Sequence, residues 1–476
     1  MNTLATVHQP AEDLQHLDNE FQRLKTSFSA KPYPNLAERR QLIKQLKQNV
    51  LNNEQALYQA LNQDYGYRSE FDSLLADVMP SVQQLNYVYK KLPKWLKPVK
   101  RHSGLALSPS SVSVHYQPLG VVGVIVPWNF PVFLSLGPII TALAAGNKVM
   151  VKMSEFTPHT NQVIRTIFEP MSDEVVIIEG ESEVAAQFSA LPFDHLFFTG
   201  STQVGRHVAR AAADNLTPIT LELGGKSPVI IAEDAKMAAA VDAIMLGKSI
   251  NAGQICVSPD YILLPESRRD EFIATYKQAY QRYFDGDKNQ CRFGNVVDQR
   301  QFSRLQSYLD DAKAKGANIE PVLADGIDGE NHWMCPHLVT DVTDDMELMK
   351  NEIFGPILPI LTYQDIDKAF SYIQARPRPL ALYLMSDNKA LQQRVKQLTH
   401  SGGVCINDTL MHVAADDAPF GGIGESGMGH YHGVEGFKTF SHAKTVLQSF
   451  SWLPRSGMLL KNRDLAVKIF RKVFLR

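Results

Sequence analysis

Apolar residues in LAERRQLIKQLKQNVLNNEQALYQALNQ, and again in SEFDSLLADVMPSVQQLNYVYKKL, recur every three or four positions. That is the period of amphipathic helices, so residues 11–95 read as a helical start. In SVSVHYQPLG the period drops to two. Val112, Val114 and Tyr116 alternate with polar neighbours, which predicts an exposed strand or arm near 103–118. The run VVGVIV at 121–126 then loses the alternation altogether, as strands buried on both faces do. After the helix-like VFLSLGPIITALAAG come the strand KVMVK (148–152), a helix near 159–168 and the strand VVII (175–178). A helix near 183–190, the strand HLFF (195–198), a helix near 203–213 and the strand ITLEL (219–223) continue the series.

Five short strands separated by helices predict right-handed crossovers and a doubly wound parallel sheet, the α/β class. Such sheets bind ligands outside the carboxyl ends of their strands. A second α/β pattern runs from about 224 to 405, with strands YILL (261–264) and ILPIL (357–361) and the helix SRRDEFIATYKQAYQRYF between them. From 402 the chain turns Gly-rich, in PFGGIGESGMGHYHG, and then basic.

Composition narrows the picture. A chain of 476 residues exceeds one simple core and implies two or three domains. A net charge of −2 supplies no basic field for nucleic acid. Cys256, Cys291, Cys335 and Cys405 form no CxxC pair, which argues against a zinc site or a disulfide framework and for a reducing cytoplasm. The opening MNTLATVHQPAEDLQHLDNEF lacks the apolar core of a signal peptide. No run reaches the ~20 apolar residues of a spanning helix. The tail KNRDLAVKIFRKVFLR is basic and amphipathic. That pattern suits a membrane surface, but docking on its own fold or on a partner subunit is the stronger expectation.

Several residues carry candidate chemistry. Cys256, in NAGQICVSP, is by itself more readily a packed thiol than a nucleophile. Glu222 sits inside an apolar strand, where burial would raise it toward a general base's range; a salt bridge is the competing reading. Asn129, between the two prolines of VPWNFP, either braces a turn or donates its amide to a developing oxyanion. Gly200 and Gly205 in FTGSTQVGRHV bracket a helix start, where free N–H groups favour a phosphate; an ordinary turn is the simpler reading. Lys152 ends the second strand and Glu155 follows, where dinucleotide folds hold the adenosine ribose. Glu352 and Phe354 in NEIFGPILP read most plainly as an exposed acid and a core aromatic. HYHG at 430–433 has no acid or cysteine at ligand spacing, so no metal site is expected. The Asp pairs at 310–311, 344–345 and 416–417 read as solvated turns.

GQIC, LELGG, PWNFP, FTGSTQVG and EIFGP occur in the order, and near the spacing, of the aldehyde dehydrogenase superfamily, which the chain resembles from about residue 15 to 450. PDYILLP, RPLALY, MSDN and the run from SGGVCINDTLMH to GMGHYHG look like its class 3 branch, and within it like the bacterial coniferyl aldehyde dehydrogenases. In KMSE, Met153 departs from a position often held by proline. The resemblance implies that the Cys256 thiolate attacks the aldehyde to form a thiohemiacetal. It implies that the Asn129 amide and the Cys256 N–H hold the oxyanion. Hydride then passes to a nicotinamide, and Glu222 activates water to hydrolyse the resulting thioester. It further implies cofactor contacts from Trp128, Lys152, Glu155, Gly200, Ser201, Gly205, Leu223, Glu352 and Phe354. Glu155 disfavours a ribose 2′-phosphate, which makes NAD the first choice, although class 3 members often accept NADP. By the same resemblance, residues 1–222 form the NAD-binding domain, 223–405 the catalytic domain, and 406–476 a return segment and oligomerisation tail of a homodimer. The substrate is a small-molecule aldehyde, aromatic such as coniferyl aldehyde or medium-chain aliphatic.

Three rivals fit less well. CoA-acylating relatives typically lack the acid at Glu222. An inert scaffold would have lost Cys256 or Asn129. A thiol hydrolase leaves the doubly wound domain without a use.

Overall fold

The computed structural model describes residues 10–284 and 293–475; Cys291 lies outside them. The helical start consists of Pro10–Ala30, Leu36–Asn52, Glu54–Tyr65 and Met79–Trp95, with shorter turns between the last two. Leu36–Asn52 opens on a capping box: Asn35 accepts from the Glu38 N–H and the Glu38 carboxylate accepts from the Asn35 N–H. Its apolar stripe, Ile43, Leu46 and Val50, is buried.

The apolar runs form the predicted parallel sheet: Val121–Ile125, Lys148–Lys152, Val175–Ile178, His195–Gly200 and Ile219–Leu223. In space the order is fifth, fourth, first, second, third, and the short strand Gly427–Met428 closes the edge antiparallel to the fifth. The first strand lies between the fourth and the second. The order therefore reverses there, which leaves a crevice at the carboxyl ends. Met153 uses its place well: its N–H donates to Ile178 O at 3.0 Å, a bond proline could not make.

A second sheet of seven strands runs Asn318–Pro321, His337–Thr340, Ile357–Tyr363, Tyr261–Pro265, Pro228–Ile231, Ala381–Met385, Gly403–Ile406. All its pairs are parallel except the first. The helix Arg269–Phe284 follows the Tyr261–Pro265 strand, as predicted. The arm is a third, antiparallel sheet in which Ser111–Pro118 pairs with Val99–Arg101 on one side and Ser441–Gln448 on the other. The tail forms the helices Arg455–Lys461 and Arg463–Phe474, and neither buries a residue on this chain. On its own chain the tail is held to the arm loop by Arg455, while its apolar side chains stay exposed. Asp310 and Asp311 correct another expectation: they lie in the helix Gln299–Ala314, whose stripe of Phe302, Leu305, Leu309 and Ala312 is buried.

Candidate active site

The loop after the first strand carries Trp128, Asn129 and Phe130 into the crevice. Asn129 is buried, and its side-chain amide donates one N–H to Gln254 O at 3.1 Å. An amide has two such hydrogens, so one remains for an oxyanion. The Asn129 main-chain carbonyl accepts from Tyr65 Oη at 3.0 Å, Arg68 Nη1 at 3.1 Å and Asn251 Nδ2 at 2.9 Å. Three donors on one carbonyl leave the loop little freedom.

Cys256 follows a backbone turn of unusual shape. Asn251, Ala252 and Gly253 have φ of 49°, 52° and 72°, three consecutive residues in the left-handed region. A Cβ on Gly253 would stand 2.8 Å from Gly355 O, so glycine is required by both dihedral and space. Gln254 explains itself here. Its side chain donates to Asn251 O and Asn295 O and accepts from the Val297 N–H, which locks the turn beneath the cysteine. The half-buried Cys256 thiol is pushed up by burial, then by the charges of Glu352 and Glu222. The N–H groups of Cys256 and Val257 act in the opposite sense and favour the thiolate.

Glu222, the penultimate residue of the fifth strand, is buried with both carboxylate oxygens unpartnered. The salt-bridge reading is thereby removed. Burial holds its carboxyl well above the ordinary value near 4.5. Glu352 is buried at its Oε1, which has no partner, and burial raises it to about 8 against the lowering effect of the Gly225 N–H. Its carboxylate lies against Gly224, where a Cβ would come within 2.2 Å. Thus Cys256, Glu222 and Glu352 share one neighbourhood, with Tyr431 beside them, whose phenol is raised by burial and then by Glu222 and Cys256.

Of the remaining predicted residues, all but Phe354 sit at or just beyond the carboxyl ends of the parallel strands; Phe354 precedes the strand Ile357–Tyr363. Lys152 is 2 % exposed, donates to Met153 O at 2.7 Å and stands 3.7 Å from Glu155. That excludes the solvated-lysine reading. Ser201 caps the helix Thr202–Asp214 by accepting from the Val204 N–H. Gly205 lets that helix approach Leu223, whose Cδ2 would be 2.7 Å from a Cβ there. Gly200 is similarly close to the Phe198 ring. Trp128 and Phe354 meet edge to face with centroids 5.3 Å apart. The orphaned Glu352 oxygen, the Gly224 approach and the Ser201 helix start are what a dinucleotide needs, so these residues fit NAD.

Sequence reasoning missed the supports. Lys226 pairs with Asp260 and donates to the carbonyls of Leu348 and Asn351, while Asp260 accepts from the Ile353 N–H at 2.8 Å. Together they fix the Glu352 turn. In HYHG, His432 is buried among Phe133, Phe420 and Tyr431 with neither ring nitrogen bonded. Among the described residues no group of His, Cys, Asp or Glu could hold a metal ion, and no helix is long and apolar enough to cross a membrane.

Comparisons with known proteins agree with this fold. The profile of the aldehyde dehydrogenase family matches residues 4–446. A probable coniferyl aldehyde dehydrogenase of Pseudomonas aeruginosa is 49 % identical over 445 residues, 93 % of each chain. Substrate-bound AldH of Staphylococcus aureus superposes with a TM-score of 0.90 at 36 % identity, covering 95 % of this chain and 99 % of that one. An aldehyde dehydrogenase of Mycobacterium tuberculosis complexed with NAD⁺ gives a TM-score of 0.83 at 28 % identity over 92 % and 91 % of the two chains. With the family profile spanning both sheets and the crevice of the first, this chain is an oxidoreductase acting on aldehydes and belongs to the aldehyde dehydrogenase family.

Proposed function

We propose that Cys256 is the nucleophile, Glu222 the hydrolytic base and Asn129 the oxyanion donor, and that the substrates are aromatic aldehydes such as coniferyl aldehyde, or medium-chain aliphatic ones. The observation that carries this reading is geometric: the Asn129 amide bonds Gln254 O two residues before Cys256, and the Glu352 carboxylate lies against Gly224 two residues after Glu222. Attack by the thiolate on the carbonyl carbon forms a C–S bond and places negative charge on the oxygen. The free N–H of the Asn129 amide and the Cys256 N–H stabilise that oxygen; one such donor is worth roughly 3 kcal/mol. NAD, when bound, supplies the hydride acceptor that turns this adduct into a thioester. Glu222 then takes a proton from water as the water oxygen attacks the thioester, and the Cys256 thiolate leaves with release of the acid.

Lys152, Glu155, Gly200, Ser201, Gly205, Leu223, Trp128, Glu352 and Phe354 hold the cofactor in this reading. The Glu155 carboxylate repels a 2′-phosphate and favours NAD over NADP. The relatives with coniferyl aldehyde in their names support the aromatic substrate. We further read 1–222 as the NAD-binding domain, 223–405 as the catalytic domain and 406–476 as the return segment and tail of a cytoplasmic homodimer. Following NADH absorbance across an aldehyde panel that includes coniferyl aldehyde tests the assignment. Turnover should occur with wild type and vanish with Cys256→Ala; turnover that survives the substitution removes Cys256 from the role.

A further inference from the structure

We infer that Arg68 and Asp77 form a positioning pair, which holds the Asn129 loop so that its carboxamide stands at the oxyanion. The inference rests on the reading of Asn129 as oxyanion donor. Arg68 Nη2 and Asp77 Oδ2 are 2.6 Å apart and both side chains are wholly buried. Removing two charges from water is costly, and apolar residues of like volume often serve stability as well or better. The reason for a pair here is therefore to be sought in what else it touches.

The pair's other side-chain hydrogen bonds go to the segment Asn129–Phe133. Arg68 Nη1 donates to Asn129 O at 3.1 Å, and the guanidinium lies over the Phe130 ring at 4.9 Å. Asp77 Oδ1 accepts from the N–H of Val132 at 3.1 Å and of Phe133 at 2.8 Å. The pair thus grips the loop at both ends, four residues from two side chains. Asp77 itself lies in Leu74–Val78, a π-helical turn between Glu70–Ser73 and Met79–Trp95. Such turns cost regularity and occur often at functional sites. The wide turn is the local distortion that carries the Asp77 carboxylate. Arg68 also crosses the Tyr65 ring at 5.1 Å, whose hydroxyl is the second donor to Asn129 O. The N-terminal helices, remote in sequence from the nucleophile, so reach the reaction at Asn129, beside the separate bond by which Asp72 accepts from the Asn251 N–H at 3.1 Å.

A double-substitution cycle tests this in the full-length enzyme, read as NADH formed in a single turnover with benzaldehyde. Arg68→Lys keeps a charge for Asp77 but lacks the fork that spans both partners. It should slow the single turnover by roughly 100-fold, the size of a misplaced reacting group, with NAD affinity by fluorescence titration unchanged. Asn129→Ala should cost a similar or larger factor. The double variant should then be no slower than Asn129→Ala, because the pair acts only through that amide. Asp77→Asn, which keeps shape and an acceptor, is read the same way and replaces Arg68→Lys if that variant does not fold. Losses that multiply in the double variant, or a wild-type rate in Arg68→Lys, overturn the inference. A wild type inert toward every aldehyde sinks the reading of the site instead.

Discussion

Glu222 is a carboxylate in the kind of place where carboxylates cost most, with two buried oxygens and no partner. Its native pKa is raised above its ordinary value near 4.5. The folded chain therefore binds that proton more tightly than the unfolded chain does. Stability is lost as pH rises above about 4.5 and stays lost above the native pKa. Glu222→Gln cannot ionise, so it should unfold at a higher Tm than wild type at pH 8, with the gap closing as pH falls toward 4.5. Calorimetric scans at the two pH values check this; equal Tm at pH 8 contradicts it. The same variant should give a burst of NADH followed by turnover slowed by roughly 10²–10⁴-fold, and loss of the burst would reassign the residue. Glu222 was legible because an acid interrupts an apolar strand. Arg68 and Asp77 were not, because in YGYRSEFDSLLADV nothing marks either charge as buried, and only tertiary packing buries them.

At the scale of elements, apolar runs located all five strands of the cofactor sheet within a residue or two. Unbroken burial leaves no ambiguity of face for such strands. The second sheet was less legible: Pro228–Ile231, Ala381–Met385 and Gly403–Ile406 are short and flanked by glycine or proline, so their period is not expressed. The edge strand Gly427–Met428 could not be read at all, since its pairing with Leu221 and Glu222 joins residues two hundred apart. The left-handed turn before Cys256 gives the sharpest test. Gly253→Ala places a Cβ at φ 72° and 2.8 Å from Gly355 O. The dihedral alone costs about 1–2 kcal/mol. The contact pushes on the segment that holds Glu352 and Phe354. Gly253→Ala should therefore lower kcat and raise KM for NAD together. A wild-type KM for NAD in steady-state kinetics would show that the two turns are not coupled.

In the whole molecule the surface left over is the arm and tail. Ser441–Gln448 pairs with Ser111–Pro118 through eight positions and, among the described residues, leaves its other edge open, and open edges invite another chain. Arg455 ties the tail to the arm loop through the carbonyls of Leu107 and Ser108 and the hydroxyl of Ser110. Beyond it Leu460, Leu465, Ile469, Phe470, Val473 and Phe474 are all exposed. An apolar surface of that extent marks an interaction site, and its continuity with the open arm points to a second copy of this chain. The chain should therefore run in solution at twice its 53.2 kDa mass. Truncation after Gln448 should shift it toward the monomer at micromolar concentration. Because the tail helices bury nothing on their own chain, the truncated protein should lose only the tail's own helical signal in the far-UV and still unfold cooperatively. Light scattering coupled to size exclusion reads both species. A truncated chain that remains fully dimeric would assign the contact to the arm and leave the tail without a partner in the dimer.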